Sequence, residues 1–171
     1  SARLGEAEPA KVAEGLQAVI DEMRLMIDSM DSVGESLDAA LATFRARVQP
    51  RIIAAGYAFE WTQRSAVDLP GYGPRDVLQV FRILQEAVTN ALKHSGGSAL
   101  YVTVGQETDG AVFISISDNG KGGAGVGDAG RGLSNMQNRA QSIGGRLTMN
   151  SPDGGGTQVA LLLPPVLEKA A

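Results

Sequence analysis

Apolar residues recur along this chain at spacings that switch between helical and extended periods, and the switches outline its elements. Leu16, Ile20, Met23, Ile27 and Met30 stand 4, 3, 4 and 3 residues apart, the seam of a helix that pairs with another, predicted over residues 10–30. A second predicted helix carries Leu37, Leu41, Phe44 and Val48 on one side. Pro50 is expected to end or kink it, and Gly56 to terminate the segment. Tyr57, Phe59 and Trp61 alternate as in a strand that covers a core. From Gly73 to His94 the period is helical again. Set at roughly 100° per residue, Val77, Val80, Phe81, Leu84, Val88, Ala91 and Leu92 share one sector, while Glu86, Asn90 and Lys93 project from the opposite side. Strands are predicted at 99–106 and 111–117, separated by a turn at Asp109 and Gly110. A helix from Gly132 to about Ile143 follows, stopped by Gly144 and Gly145. Strands at 146–151 and 156–163 close the pattern, ended by Pro164 and Pro165. Helices grouped against mostly antiparallel strands predict an α+β fold, a two-layer α/β sandwich with an N-terminal helical segment.

A polar stripe opposite an apolar one ordinarily faces solvent. A carboxylate, an amide and an ammonium at i, i+4 and i+7 can also activate water, ligate a hard cation and neutralise phosphate. Downstream, Val112, Ile114 and Ile116 alternate with Phe113, Ser115 and Ser117, and Asp118 continues the apolar row. An inward carboxylate is costly unless something donates to it, and an exocyclic amino group such as adenine's would serve. Asp118, Asn119 and Gly120 also read as a hairpin turn, but residues 121–132 offer no second alternating arm. Seven of the thirteen residues from 120 to 132 are glycine. Such a stretch is a mobile linker or lets backbone approach a ligand closely. Gly130 and Gly132 open the next predicted helix, and amides at a helix start preceded by glycine suit phosphate. Residues 125–130 match G-x-G-x-x-G, yet the dinucleotide fold needs that motif directly after a strand, and here it begins eight residues after Ser117. The ending of a P-loop is absent, since Gly122 follows Lys121.

Glu86-x-x-x-Asn90, Asp118-x-Gly120-x-Gly122, Gly130-x-Gly132-Leu133 and Gly155-Gly156-Thr157 occur in this order. In that order the chain resembles the ATP-binding domains of sensor histidine kinases, within the superfamily shared with DNA gyrase, MutL and a heat-shock chaperone. Residues 85–94 and 132–140 are most similar to the subgroup whose regulators carry helix-turn-helix domains, and the resemblance spans about residues 77–164. It implies a Bergerat-type ATP-binding fold with ATP and Mg²⁺ as ligands. In that reading Asn90 binds Mg²⁺ and Asp118 bonds the adenine amino group. Gly120 and Gly122 let the base lie against the backbone, and Lys93 and His94 contact phosphates. Gly130, Gly132 and Leu133 cap the phosphates, Thr157 lies near the adenine, and Glu86 matches the general base of the hydrolytic relatives. Arg131 either touches phosphate or stands exposed on the lid, and Lys121 is expected to face solvent.

With 43% hydrophobic residues, 171 residues suffice for one substantial core, or one core plus a short appendage. A net charge of −4 without a basic cluster along the sequence argues against direct nucleic-acid binding. No apolar run reaches membrane-spanning length, and a cytoplasmic location is the expectation, with an anchor elsewhere in a longer parent left open. There is no cysteine, and the one histidine cannot build a conventional zinc site. That histidine, His94, belongs to the nucleotide helix, so the phosphoacceptor histidine of a sensor kinase is missing from the sequence. The expected organisation is a disordered lead-in at 1–9, a remnant of a dimerisation helix at 10–31, an ATP-binding domain at 32–165 and a tail at 166–171. The expected partners are the acceptor-histidine helix, a response regulator indirectly, and a second copy through residues 10–31. Alternatives are a hydrolytic or serine-directed relative and a nucleotide-binding module without chemistry.

Overall fold

The computed structural model describes residues 9–32, 36–122 and 128–166, apart from the side chains at 18, 21–23, 25–32 and 128–131. The elements run α1 (Pro9–Ser32), α2 (Leu37–Ala54), β1 (Ala58–Gln63), α3 (Pro74–His94), β2 (Ala99–Gln106), β3 (Val112–Asp118), α4 (Asp128–Ser142), β4 (Arg146–Asn150) and β5 (Gln158–Leu163). The predicted lead-in at 1–8, the break at 33–35, the middle of the glycine loop at 123–127 and the tail at 167–171 lie outside the described residues. So do the side chains of Met23, Ile27 and Met30 in the predicted seam; of the rest, Leu16 and Ile20 are exposed.

Each helix end has a local cause. Ser36 caps α2 by accepting the Ala39 N–H at 3.0 Å on its Oγ. Gly56, at φ +85°, supplies the left-handed residue that closes α2. Pro50 does not end this helix, which runs on to Ala54. Proline removes one helical hydrogen bond at a cost of about 3 kcal/mol. Ile52, fully buried two residues later, offsets roughly 1.5–3 kcal/mol of that by staying on the core stripe with Leu41, Phe44 and Val48. On α3, Pro74 occupies the first turn, and Asp76 Oδ2 accepts the Gly73 N–H at 2.8 Å. Lys93 and His94 in its last turn complement the helix dipole.

The five strands form one mixed sheet in the order β1-β2-β3-β5-β4. β1 pairs with β2 in parallel, and the remaining pairs are antiparallel. Leu100, Val102, Ile114, Ile116, Val159 and Leu161 point from the sheet into a core shared with α2, α3 and α4. Phe44 of α2 stacks on Phe81 of α3 with centroids 6.0 Å apart, which fixes the two helices against each other. Met136 and Ala140 of α4 are fully buried, and Leu133 and Ile143 pack beside them. The predicted apolar face of α3 is buried apart from half-buried Leu92, and the face widens to include Ile83 and Ala87. The alternating aromatics of the first strand flank the core: Tyr57 is buried, while Phe59 and Trp61 meet edge to face at 6.4 Å.

Candidate functional site

At the end of β3 the period-two pattern carries Asp118 inward, and it is one of two buried polar residues, with Ser95, among those described. Its Oδ1 accepts two backbone donors, the Gly120 N–H at 2.8 Å and the Thr157 N–H at 3.3 Å. Among the described residues nothing donates to Oδ2. The carboxylate therefore holds its own loop with one oxygen and keeps the other as an acceptor. Asp118 also pairs through its backbone, donating its N–H to the Thr157 carbonyl at 3.0 Å.

Two glycines let the surrounding backbones meet at this point. A β-carbon on Gly120 would overlap the carbonyl oxygen of Ser95, and one on Gly156 would overlap that of Asp118. Gly156 also stands at φ +85°. The segment after β3 is not a hairpin turn. Asn119 Oδ1 accepts the N–H groups of Ser98 at 2.8 Å and Ala99 at 2.9 Å, fastening the loop to the start of β2. Ser95, the C-cap of α3, accepts the Lys121 N–H at 2.8 Å on its carbonyl, while its Oγ lies 3.0 Å from the buried Tyr57 hydroxyl. Asn119 and Ser95 thus join the end of α3 to the Asp118 loop. The sequence offered no periodic signal for either, because both act through backbone groups distant along the chain.

The other side of the site is α3 against α4. Glycine costs about 1 kcal/mol in a helix interior relative to alanine. Even so, α4 begins at Asp128, four residues earlier than predicted, and takes in Gly130 and Gly132. Close packing explains Gly132: a β-carbon there would lie 2.7 Å from Glu86 Oε1 and 2.9 Å from Asn90 Nδ2. The Asn90 Nδ2 atom is buried without a hydrogen-bond partner. A half-turn of the amide would put an oxygen acceptor there at little change in shape. Amide and carboxylate oxygens are the hard donors that Mg²⁺ takes, and no group of three or more His, Cys, Asp or Glu gathers as a protein-only cage among the described residues. The pair fits an ion that keeps its remaining positions for water and phosphate oxygens.

The predicted site residues are distributed as follows. Lys93 and His94 are exposed on the last turn of α3, and Lys121 is exposed beside Gly96. Gly122 faces the Gly156 carbonyl across the loop, 3.0 Å from where its β-carbon would be. Leu133 turns its side chain to the core. Gly130 and Arg131 lie in the first turn of α4, with the Arg131 side chain outside the described residues. Trp61 stands on the far edge strand with Arg45 5.6 Å from its ring centroid, away from Asp118. On the outer side of α3, a cleft of about 520 Å³ runs between α1, α2, α3 and α4. Glu86 and Lys93 line it, but Asp118 and Asn90 do not.

Comparison with known proteins bears on the family and the fold. Residues 75–167, just over half of the chain, match the family described as histidine kinase-, DNA gyrase B-, and HSP90-like ATPase. The nitrate/nitrite sensor protein NarQ of Escherichia coli (strain K12) is 37% identical over 89 residues, covering 49% of this chain and 15% of that protein. The sensor histidine kinase LiaS of Bacillus subtilis (strain 168) is 37% identical over 87 residues, covering 50% of this chain and 24% of its own length. The match thus spans less than a quarter of either relative. The histidine kinase domain of the blue-light activated histidine kinase from Erythrobacter litoralis EL346 superposes with a TM-score of 0.65 at 16% identity, over 85% of this chain and 72% of that one. The catalytic domain of histidine kinase ThkA does so at 0.61 and 16% identity, over 78% of this chain and 96% of that one. The chain belongs to the histidine kinase-, DNA gyrase B-, and HSP90-like ATPase family, and its sensor-kinase relatives identify it as an ATP-binding domain of the histidine kinase type.

Proposed function

We propose that this chain binds ATP with Mg²⁺ and presents the γ-phosphoryl group to a histidine supplied from outside its 171 residues, as the catalytic part of a two-component phosphotransfer. The observation that carries the reading is the buried Asp118 carboxylate, tied at Oδ1 by Gly120 and Thr157 and left as an acceptor at Oδ2. An exocyclic amino group is the donor such an oxygen takes, whereas a 6-oxo purine would meet it acceptor to acceptor. Gly120 and Gly122 would let the base lie against the backbone, with Thr157 alongside.

Asn90 would hold Mg²⁺, with Glu86 beside it. When bound, the ion supplies charge neutralisation at the triphosphate oxygens. Lys93 and His94 would add positive charge at the end of α3, and the α4 start with Gly130, Arg131, Gly132 and Leu133 would cover the phosphates. Phosphoryl transfer asks mainly for positioning and charge stabilisation, which this set supplies. The chain's single histidine lies on α3, so the acceptor comes from another segment or chain, with a response regulator downstream. Pairing of two copies through residues 10–31 belongs to the same proposal, as does a cytoplasmic setting; no described helix is long and apolar enough to cross a membrane.

Calorimetric titration of wild type and Asp118→Asn with MgATP and MgGTP tests the reading. The substitution is expected to weaken ATP binding by roughly 1.5–3 kcal/mol, the worth of a charge-assisted hydrogen bond, and wild type is expected to bind GTP poorly. Equal affinities for the two nucleotides would remove the assignment. Glu86, in contact range of Gly132 at the Asn90 pair, also supports ATP hydrolysis as a second reading. Steady turnover by the isolated chain, abolished in Glu86→Gln, would favour it.

A further inference from the structure

Among the described residues, the lining of the outer cleft is rich in cations although the chain as a whole is acidic. The sequence has a net charge of −4 and no basic run. Yet among the described residues Arg51, Arg82, Lys93 and Arg139 line the cleft, beside the carboxylates Glu14 and Glu86. Three helices contribute these cations, so the patch exists only in the folded protein.

The arrangement is linear. Arg51 reaches from α2 to donate to Thr89 Oγ1 at 3.1 Å, and Arg139 reaches from α4 to donate to Gln79 Oε1 at 3.1 Å. Both acceptors are neutral, and no carboxylate pairs with either arginine among the described residues. Thr89 and Gln79 stand ten residues apart on α3, about 15 Å along its axis. On that helix Arg82, Glu86, Thr89 and Lys93 fall within about 60° of arc, on the face away from the core. The cations therefore follow a line about three helical turns long, too extended for a single small anion.

A helix already lies along this line. α1 contributes Glu14, Gln17 and Val19 to one wall, and about 520 Å³ stays open with α1 in place. α1 is thus a wall and not the occupant.

We propose that the outer cleft docks an acidic helical segment of a partner protein, whose carboxylates pair with Arg51 at one end and Arg139 at the other. Such a segment would run past Glu86 and Lys93, so the inference rests on the phosphotransfer reading for what the partner receives, though not for its charge.

The test uses two labelled helical peptides, one with four glutamates along one face and one with glutamine in their place, in fluorescence anisotropy with the nucleotide-free full chain. The glutamate peptide is expected to bind at least tenfold more tightly, and the preference to shrink as salt rises. In Arg51→Gln/Arg139→Gln the preference is expected to vanish while MgATP affinity stays at the wild-type value. Equal binding of the two peptides, or a preference that survives the double substitution, overturns the proposal. So does tripolyphosphate displacing the bound glutamate peptide at a lower concentration than the unlabelled glutamate peptide does, since the cleft would then be a phosphate site. Asp118→Asn is expected to keep the peptide preference; that arm separates failure of the docking site from failure of the nucleotide site.

Discussion

Gly132 of α4 stands against the amide of Asn90 on α3, so close that a β-carbon would come within 2.9 Å of Nδ2. The same β-carbon would meet Glu86 Oε1 at 2.7 Å. Both atoms end movable side chains, so Gly132→Ala would be accommodated by displacing them. Alanine also favours the helix by about 1 kcal/mol. Thermal stability is therefore expected to hold or rise slightly, while MgATP affinity falls about tenfold or more. A calorimetric titration beside a melting curve separates the two; unchanged affinity would show that the Asn90–Glu86 pair is not used.

Asn90→Ala removes the amide whose buried nitrogen has no partner. Deleting an unsatisfied buried group costs little stability. What should disappear is the gain in ATP affinity on adding Mg²⁺. Titrations in magnesium and in excess EDTA measure it, and a Mg²⁺ effect equal to wild type would exclude Asn90 as a ligand.

Gly120→Ala acts differently, because the atom it would strike is the Ser95 backbone carbonyl, which is already bonded to the Lys121 N–H. Neither backbone can move aside without opening the junction. A loss of about 2–4 kcal/mol is expected, with a Tm fall on the order of 10 °C. Urea melts of the two proteins decide it; a variant as stable as wild type would mean the junction yields.

Tyr72 supplies a pH dependence remote from the site. Its hydroxyl donates to the Pro164 carbonyl at 2.7 Å. Burial first, and then the neighbouring Asp76 carboxylate, raise its pKa above the usual 10.0. A raised pKa means the fold favours the neutral phenol. That stability is fully present below pH 10 and is lost as pH climbs through the higher folded-state value. Tyr72→Phe should cost about 0.5–1.5 kcal/mol at neutral pH and flatten the decline above pH 10. Parallel declines in the two proteins would exclude the tether.

Much of this architecture was legible because the relevant signals are local. Alternation gave the strands to within a residue or two. Gly73 marked the start of α3, and inward-facing Asp118 could be read from the period of β3 alone. Where the prediction failed, tertiary packing had overruled a local preference. Ile52 keeps α2 helical past Pro50, and the approach of Gly132 to α3 keeps α4 helical through two glycines. The Ser95 and Asn119 fastenings were hidden because their partners are backbone groups 20 or more residues away. The outer cationic cleft left no trace in the sequence, since its members are scattered from residue 51 to residue 139.

Ser95 couples more than it caps. Through Tyr57 it fastens the end of α3 to the residue before β1, and through Lys121 to the strip of chain that follows Asp118. That strip and the floor of the outer cleft are thus joined through one helix, α3. Should nucleotide binding displace α3, a docked helix would by reciprocity alter how tightly the purine is gripped.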